Sequence, residues 1–288
     1  MRRPGPDERL LTRLRWPLRQ AVLGKDPGGW RSSAGGDGLE IATVREYNPG
    51  DDVRRINWTA AARTGRLQVV VPVAERALNS RIVLDASASM TFGSVRSKFD
   101  VALEATETLN RIASRHADRV QIIAVNDTVI AGAAHQGRAA SLGGAALLDR
   151  LEAHGNGPLT QVISDASTVR GGLLIVVSDF RDPATRSALQ LSCRRGAVIA
   201  VVVHDPHERE IPDVGLITVR DPETGHVVQA DTSDPVLRTR FSESARQLRD
   251  DIAASAAGAV ITVDVCTDGP HGGTQVVTAL LAGRKARR

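Results

Sequence analysis

The stretch Ile82–Met90, IVLDASASM, places three apolar residues directly before an Asp-x-Ser-x-Ser pattern. A short apolar run that ends in polar turn residues is typical of a buried strand. Four similar runs follow along the chain, and the segments between them have the apolar spacing of amphipathic helices. Alternating strands and helices favour a mostly parallel sheet with helices on both faces. We therefore predict a doubly wound, Rossmann-like α/β domain over residues 80–283.

The elements of this domain follow from the same patterns. The predicted strands are Arg81–Leu84, Val120–Val125, Leu173–Val177, Ala197–Val203 and Val260–Val265. The predicted helices are Lys98–His116, Leu142–Ala153, Thr160–Val169, Pro183–Arg194, Pro235–Ala257 and Gly273–Ala282. Two strand-like runs, Gly215–Arg220 and His226–Ala230, flank a Pro/Gly turn before the long helix, and they predict an inserted β-hairpin.

The segments outside this domain have different residue patterns. Residues 1–23 include apolar side chains at helical spacing and predict a short N-terminal helix. Residues 24–79 predict a small β-rich module, in which the pieces Leu39–Val44 and Leu67–Val73 surround the turn-forming sequence Asn-Pro-Gly-Asp. Residues 284–288 are a basic tail.

Composition limits the classes of function. The chain has 288 residues, of which 42% are hydrophobic and 24% charged, as in ordinary folded proteins. The net charge is only +4 and the basic excess lies near the two ends, so we expect no nucleic-acid partner. Two cysteines without CxxC spacing indicate a reducing compartment. Because no apolar run is long enough to span a membrane, we expect a cytoplasmic protein.

The Asp-x-Ser-x-Ser pattern is the strongest chemical signal. In doubly wound sheets, ligands bind at the carboxyl ends of the strands, where the winding reverses. One carboxylate and two hydroxyls suit Mg²⁺ or Mn²⁺, which prefer oxygen ligands. Thr160 at a helix start and Asp179 after a strand could add oxygens at the same edge. Asp and Ser after a strand also form ordinary helix caps and turns, so the pattern alone leaves a capping loop open.

These residues carry a family resemblance. In their order along the chain, Asp85, Ser87, Ser89, Thr160 and Asp179 resemble the metal-ion-dependent adhesion site of von Willebrand factor A domains. The resemblance implies that these five residues surround a Mg²⁺ ion, directly or through water. It also implies that the cation binds an acidic side chain of a protein partner.

A longer signature lies upstream. The sequence REYNPGDDVRRINW at residues 45–58, continued by ARTG at 62–65, resembles the bacterial family known as domain of unknown function 58, in which it precedes an A-like domain. Members of that family are typically encoded beside MoxR-type AAA+ ATPases, which implies such an ATPase as the partner in chaperone-like or complex-assembly work. Many members carry two transmembrane helices before the signature, and since none precedes it here, we expect no stable membrane insertion.

The charges of the signature allow two interpretations. Asp51, Asp52, Arg54, Arg55 and Arg63 are too dense for a core, although they lie beside apolar residues. They fit a salt-bridged interface between the small module and the A-like domain. They also fit a partner-binding surface, for which Arg54 and Trp58 are the candidate anchors.

An enzyme would need other motifs. The sequence has no phosphate-binding loop, no dinucleotide fingerprint and no nucleophile elbow. The alternative is Mg²⁺-dependent phosphoryl transfer with Asp85 as the nucleophile, but Ser87 lies where such phosphatases need a second Asp. We therefore expect a binding module, in which the cation bridges two proteins and activates no water.

Overall fold

The computed structural model describes residues 5–6, 11, 41–72, 78–115, 118–167 and 172–285. These residues divide into two compact units, one with residues 41–72 and one with residues 78–285 and the described N-terminal residues. Leu11 is helical and buried in the core of the larger unit. The rest of the predicted N-terminal helix lies outside the described residues.

The smaller unit combines two strands with a helix. Strand β1 (Ile41–Glu46) pairs in antiparallel fashion with β2 (Gln68–Pro72), and helix α1 (Trp58–Thr64) lies between them in the chain. The Asn57 side chain caps α1 by accepting a hydrogen bond from the Ala60 amide, at 3.0 Å. The prediction of a β-rich module missed this short helix, whose start signal is the Asn57 cap.

The larger unit has nine strands in chain order. They are β3 (Asn79–Asp85), β4 (Arg119–Val125), β5 (Val129–Ala131), β6 (His135–Gln136), β7 (Gly172–Ser178), β8 (Ala197–His204), β9 (Leu216–Arg220), β10 (Val227–Asp231) and β11 (Ile261–Cys266). Strands β9 and β10 form a separate antiparallel pair, as the hairpin prediction requires. The other seven form one sheet. The short strands β5 and β6 were not predicted, because three- and two-residue strands give too little periodicity.

The large sheet is mostly parallel. Its order is β11-β8-β7-β3-β4, with the antiparallel strands β5 and β6 both beside β4. The five long strands run parallel to their neighbours. The fold is therefore the predicted α/β fold with a mostly parallel sheet.

Six helices surround this sheet in the described part of the unit. They are α2 (Lys98–Arg115), α3 (Arg138–Leu148), α4 (Leu159–Ala166), α5 (Pro183–Arg195), α6 (Pro235–Ala256) and α7 (Gly272–Lys285). Helix α3 begins and ends earlier than the predicted Leu142–Ala153. The two glycines at 143 and 144 obscured its start, because glycine has a low helix propensity. A glycine is nevertheless required at position 144, because a Cβ there would lie 2.2 Å from the Asn110 side chain. Helix α7 includes the first two residues of the predicted basic tail.

The strands are buried on both faces. Successive side chains of a strand point to opposite sides of the sheet. Ile82 and Leu84 of β3 therefore belong to the core cluster that contains residues of α2, α3 and α7. Val83, between them, belongs to the cluster that contains residues of α4, α5 and α6. This three-layer packing accounts for the continuous apolar runs of the central strands.

The sheet order creates a reversal point beside β3. The chain leaves β3 for β4 on one side, and the later strands continue from β7 on the other side. In the register of β3 and β7, Leu84 lies opposite Val177. Asp85 and Ser178, the next residues of the two strands, therefore meet at the carboxyl edge of the sheet. This is the position at which doubly wound sheets bind their ligands.

Candidate metal centre

The five predicted site residues, Asp85, Ser87, Ser89, Thr160 and Asp179, all line one open cleft of about 950 Å³. They come from the ends of β3 and β7, from the loop after β3 and from the first turn of α4. The structure thus brings together every residue that the sequence analysis assigned to the metal site. Their role as ligands remains a prediction.

Asp85 forms the buried floor of the cleft. Its side chain accepts two hydrogen bonds, from the Ser178 hydroxyl at 2.6 Å and from the Ser87 amide at 3.0 Å. Burial and the nearby negative charge of Asp179 raise the pKa of Asp85 to about 6, although the hydrogen bonds oppose this shift. None of the ion pairs among the described residues includes Asp85. A divalent cation would supply the positive charge that this buried carboxylate lacks.

Ser87 and Ser89 present their hydroxyls together. Their Oγ atoms lie 3.0 Å apart, although Ala88 separates them in the chain. Adjacent ligands of an octahedral Mg²⁺ ion, each about 2.1 Å from the metal, are about 3 Å apart. Two hydroxyls at this spacing fit neighbouring positions around such an ion, and Asp85 lies directly behind them.

The loop that carries the two serines is held by backbone contacts to its neighbours. The Ala86 amide donates to the Val125 carbonyl at 2.8 Å, and the Ala88 amide donates to the Gly155 carbonyl at 2.8 Å. Gly157 approaches the loop after β4 so closely that a Cβ on Gly157 would lie 2.0 Å from the Asn126 carbonyl oxygen. The glycines before α4 therefore permit close packing against the loop after β4, and the Gly155 carbonyl holds the serine loop.

Thr160 occupies the first turn of α4 and is half-buried in the cleft. Its Oγ1 lies 3.4 Å from Thr185 Oγ1, which is a long distance for a hydrogen bond. Thr185 in turn donates to Asp182 at 2.8 Å. The Thr160 hydroxyl thus has only a weak protein partner, and it has capacity for a cation or for a water bound to one.

Asp179 differs from Asp85, because a cation already neutralises it. The Lys98 ammonium lies 2.6 Å from an Asp179 carboxylate oxygen and 2.7 Å from a Glu208 carboxylate oxygen. Burial opposes the charge of Lys98, but the two carboxylates outweigh burial and raise the pKa of this lysine. Asp85 is thus the carboxylate of the five-residue set that has no protein cation of its own.

The backbone after Asp179 is strained. Phe180 has a φ of 51°, in the left-handed region, and its side chain is fully buried. A bulky non-glycine residue in this region costs about 1–2 kcal/mol. The Phe180 amide donates to the Ser178 hydroxyl at 3.1 Å, and Arg186 donates to the Phe180 carbonyl at 3.0 Å. These contacts hold the turn that directs Asp179 toward Lys98.

Sequence reasoning missed Lys98, Ser178 and Glu208 as parts of this centre. Lys98 is the first residue of α2, where the helix dipole disfavours a positive charge. A lysine at a helix start, a few residues after the serine loop, could have indicated that an acidic side chain from another element pairs with it. Ser178 precedes Asp179 in the sequence and could have been assigned from the strand register alone.

Other metal chemistry has no support in the part of the chain that the structure describes. No group of three or more His, Cys, Asp or Glu side chains is arranged there to hold a metal ion. The candidate ligands in the cleft are the Asp85 carboxylate and the hydroxyls of Ser87, Ser89 and Thr160, which are all hard oxygen donors. Such a set fits Mg²⁺ or Mn²⁺ better than a softer metal.

The smaller unit exposes the two candidate anchors. Trp58 is 64% exposed and Arg54 is also exposed. The signature charges form ion pairs inside the module, including Arg45 with Asp51 at 2.6 Å. The salt-bridged interface between the two units and the partner-binding surface both stay predictions.

The fold and the cleft define the chain as an α/β protein with an oxygen-lined site at the reversal point of its sheet. The sequence matches the family described as "Protein of unknown function DUF58" over residues 43–251. The chain therefore belongs to the DUF58 family. It is also 31% identical to the uncharacterized protein Rv1480 of Mycobacterium tuberculosis over 256 residues, which cover 86% of this chain and 80% of that protein.

Solved structures with a similar shape include BatB from Bacteroides thetaiotaomicron and a von Willebrand factor type A protein from Catenulispora acidiphila. BatB has a TM-score of 0.47 and 18% identity, and the match covers 74% of this chain and all of BatB. The Catenulispora protein has a TM-score of 0.43 and 12% identity, with 76% of this chain and 44% of that protein covered. No helix in the described ranges combines the length and apolar character that crossing a membrane requires.

Proposed function

We propose that the cleft of the larger unit binds Mg²⁺ or Mn²⁺ and uses the cation to capture an acidic side chain of a protein partner. The observation that carries this proposal is the pair of serine hydroxyls 3.0 Å apart in front of a buried carboxylate without a cation. A capping loop alone would not need a buried, unpaired Asp85 beside two converging hydroxyls.

The charge of the site supports binding to an acidic group. Lys98 lies between Asp179 and Glu208, whereas Asp85 forms none of the ion pairs found among the described residues, so the Asp85 carboxylate is available to the cation. A divalent ion held by one carboxylate and neutral hydroxyls keeps a net positive charge. The cleft is open, and a carboxylate from outside can reach a free coordination position.

A catalytic role for Asp85 has less support. Asp85 is fixed at the floor by hydrogen bonds from Ser178 and from the Ser87 amide, and Ser87 lies where aspartate-based phosphatases need a second Asp. The nearby Lys98 ammonium is held between two carboxylates, which disfavours it as a general acid. We therefore assign a binding function and no turnover to this site.

The partner that we propose is a MoxR-type AAA+ ATPase encoded beside the gene. This assignment rests on membership of the DUF58 family and on the resemblance of the cleft to a metal-ion-dependent adhesion site. In the proposed complex with this ATPase, the protein acts as an adaptor for chaperone-like or complex-assembly work.

The test is a pull-down of the neighbouring ATPase with Mg²⁺, with EDTA, and with the Asp85→Ala and Ser87→Ala variants. Ser187→Ala, at an exposed position of α5, is the matched control. We expect capture by the wild type and by Ser187→Ala in Mg²⁺, and loss of capture in the other three samples. Electron paramagnetic resonance of added Mn²⁺ measures metal binding separately. Equal capture in all samples, with folded variants, would show that the cation has no bridging role.

A further inference from the structure

The β9–β10 hairpin forms one wall of the metal cleft. It is a two-stranded sheet of its own and contributes no strand to the large sheet. Ile217 and Val219 of β9 nevertheless line the same cleft as Ser87 and Ser89. The hairpin is therefore an addition to the α/β core that changes the shape of the site.

The tip of the hairpin forms hydrogen bonds within its turn and one to the opposite side of the cleft. Asp221 accepts hydrogen bonds from the Glu223 amide at 2.9 Å and from the Thr224 hydroxyl at 2.6 Å. The turn ends at Gly225, whose φ is 70°. Asn156, between the two glycines before α4, donates to the Glu223 side chain at 3.0 Å. The hairpin tip thus binds the loop that fixes the serine loop.

The wall offers apolar surface close to the polar floor. Val219 is 50% exposed and Phe92, just after the serine loop, is 43% exposed. Ile217 and Phe241 of α6 are partly buried in the same cleft. A partner that reached the floor with only a carboxylate would leave this apolar surface in water. A partner with a large apolar side chain beside its acidic residue would bury it.

We propose that the cleft selects a partner segment in which a large apolar residue lies beside an acidic residue. This inference rests on the proposed function, since the acidic residue coordinates the cation between the floor and the hairpin wall. The apolar residue packs against Val219, Ile217 and Phe241. Arg220, Asp221 and Glu223 of the hairpin also line the cleft, so the wall carries charges of both signs and its apolar residues carry the selection.

Four blocked, fluorescein-labelled peptides test the selection by fluorescence anisotropy in Mg²⁺. Their core sequences are Gly-Leu-Asp-Gly, Gly-Ser-Asp-Gly, Gly-Leu-Asn-Gly and Gly-Ser-Asn-Gly. We expect the Leu-Asp peptide to bind about tenfold more tightly than the Ser-Asp peptide, because one large apolar side chain is buried. The Asn peptides should lose the Mg²⁺-dependent part of binding.

Variants locate the preference on the hairpin. Val219→Ser should reduce the Leu-over-Ser preference to less than about twofold. Val228→Ser is the matched control, because Val228 is the cross-strand partner of Val219 and is 51% exposed, yet it does not line the cleft. It should retain the preference. Phe241→Ala provides a second test on a different element, in case Val219→Ser disturbs the hairpin.

The outcomes separate this inference from the function on which it rests. Equal binding of the Leu-Asp and Ser-Asp peptides, both dependent on Mg²⁺, would overturn the selection and leave carboxylate capture intact. A preference that survives both Val219→Ser and Phe241→Ala would place the apolar contact elsewhere and would also overturn it. If the wild type binds no Mn²⁺ by electron paramagnetic resonance, the metal function fails and the inference fails with it.

Discussion

The metal cleft and the signature module both place charges beside apolar residues, but they treat those charges in opposite ways. In the cleft, Lys98 is 1% exposed and lies between two carboxylates. In the module, the Arg45 side chain is 43% exposed and pairs with Asp51 at the surface. The paired residues of the module are 6 positions apart in the sequence, whereas those of the cleft are 81 and 110 positions apart. Their depth of burial, which the sequence does not give directly, decides how much each contributes.

Replacing Lys98 should have the largest effect. Lys98→Met removes the cation of the buried Asp179, whereas Glu208 keeps Arg181 at 3.2 Å. Removing one partner of a buried pair typically costs about 3–5 kcal/mol, and we expect a loss of that size in the free energy of unfolding. Urea denaturation in EDTA measures it. Adding Asp179→Asn to Lys98→Met should restore part of the loss, because it removes the uncompensated charge.

The same variant connects stability with the proposed metal. Without Lys98, the Asp179 carboxylate becomes available to a cation in the cleft. Lys98→Met should therefore bind Mn²⁺ more tightly than the wild type, by about tenfold. Weaker Mn²⁺ binding by a folded Lys98→Met variant would contradict a position of Asp179 beside the metal.

The pH dependence of stability should show the second largest effect. Asp85 has a pKa of about 6 in the folded protein, whereas a free Asp has a pKa of about 3.9. Below about pH 4 both states hold the proton, so the stability that this group contributes is fully present. As the pH rises to about 6, the unfolded state ionises first and that stability is lost, by up to roughly 3 kcal/mol.

Asp85→Asn should remove this dependence. In EDTA, the unfolding free energy of the variant minus that of the wild type should become more positive between pH 4.5 and pH 7. Asp250→Asn, at an exposed position of α6, is the control and should show no such trend. Mg²⁺ should stabilise the wild type at pH 7 far more than at pH 4.5, because the metal binds the ionised carboxylate. A wild-type profile that is flat in EDTA would contradict the burial argument.

The fold could be predicted from the sequence where a residue pattern is compatible with only one kind of element. The apolar runs that became β3, β7 and β8 are buried on both faces, so their sequence leaves few alternatives. Helix α3 was misplaced because its two glycines have low helix propensity, whereas the Asn110 side chain leaves no room for a Cβ at Gly144. The position of Asp179 after a strand could be predicted. Its pairing with Lys98 could not, because that contact joins residues 81 positions apart.

The surface ion pair of the module should matter less than the buried one. Asp51 accepts hydrogen bonds from Arg45, and these lower the pKa of Asp51. Because both side chains remain in contact with water, Arg45→Met should change stability much less than Lys98→Met does. High salt sharpens the contrast: in 1 M NaCl the effect of Arg45→Met should shrink, while that of Lys98→Met should persist. Equal effects would show that the exposed pair belongs to a larger buried network.

Trp58→Ala should have the smallest effect on stability and can still decide which region binds the partner. Trp58 is 64% exposed at the start of α1, and the Asn57 cap of that helix remains in the variant. We therefore expect the unfolding free energy to stay within about 0.5 kcal/mol of the wild type. Capture of the ATPase should also persist if the cleft is the main contact, and Asp85→Ala should abolish it. Loss of capture in Trp58→Ala, with capture retained in Asp85→Ala, would reverse that assignment, because it would show that the partner binds the exposed signature module without the cation.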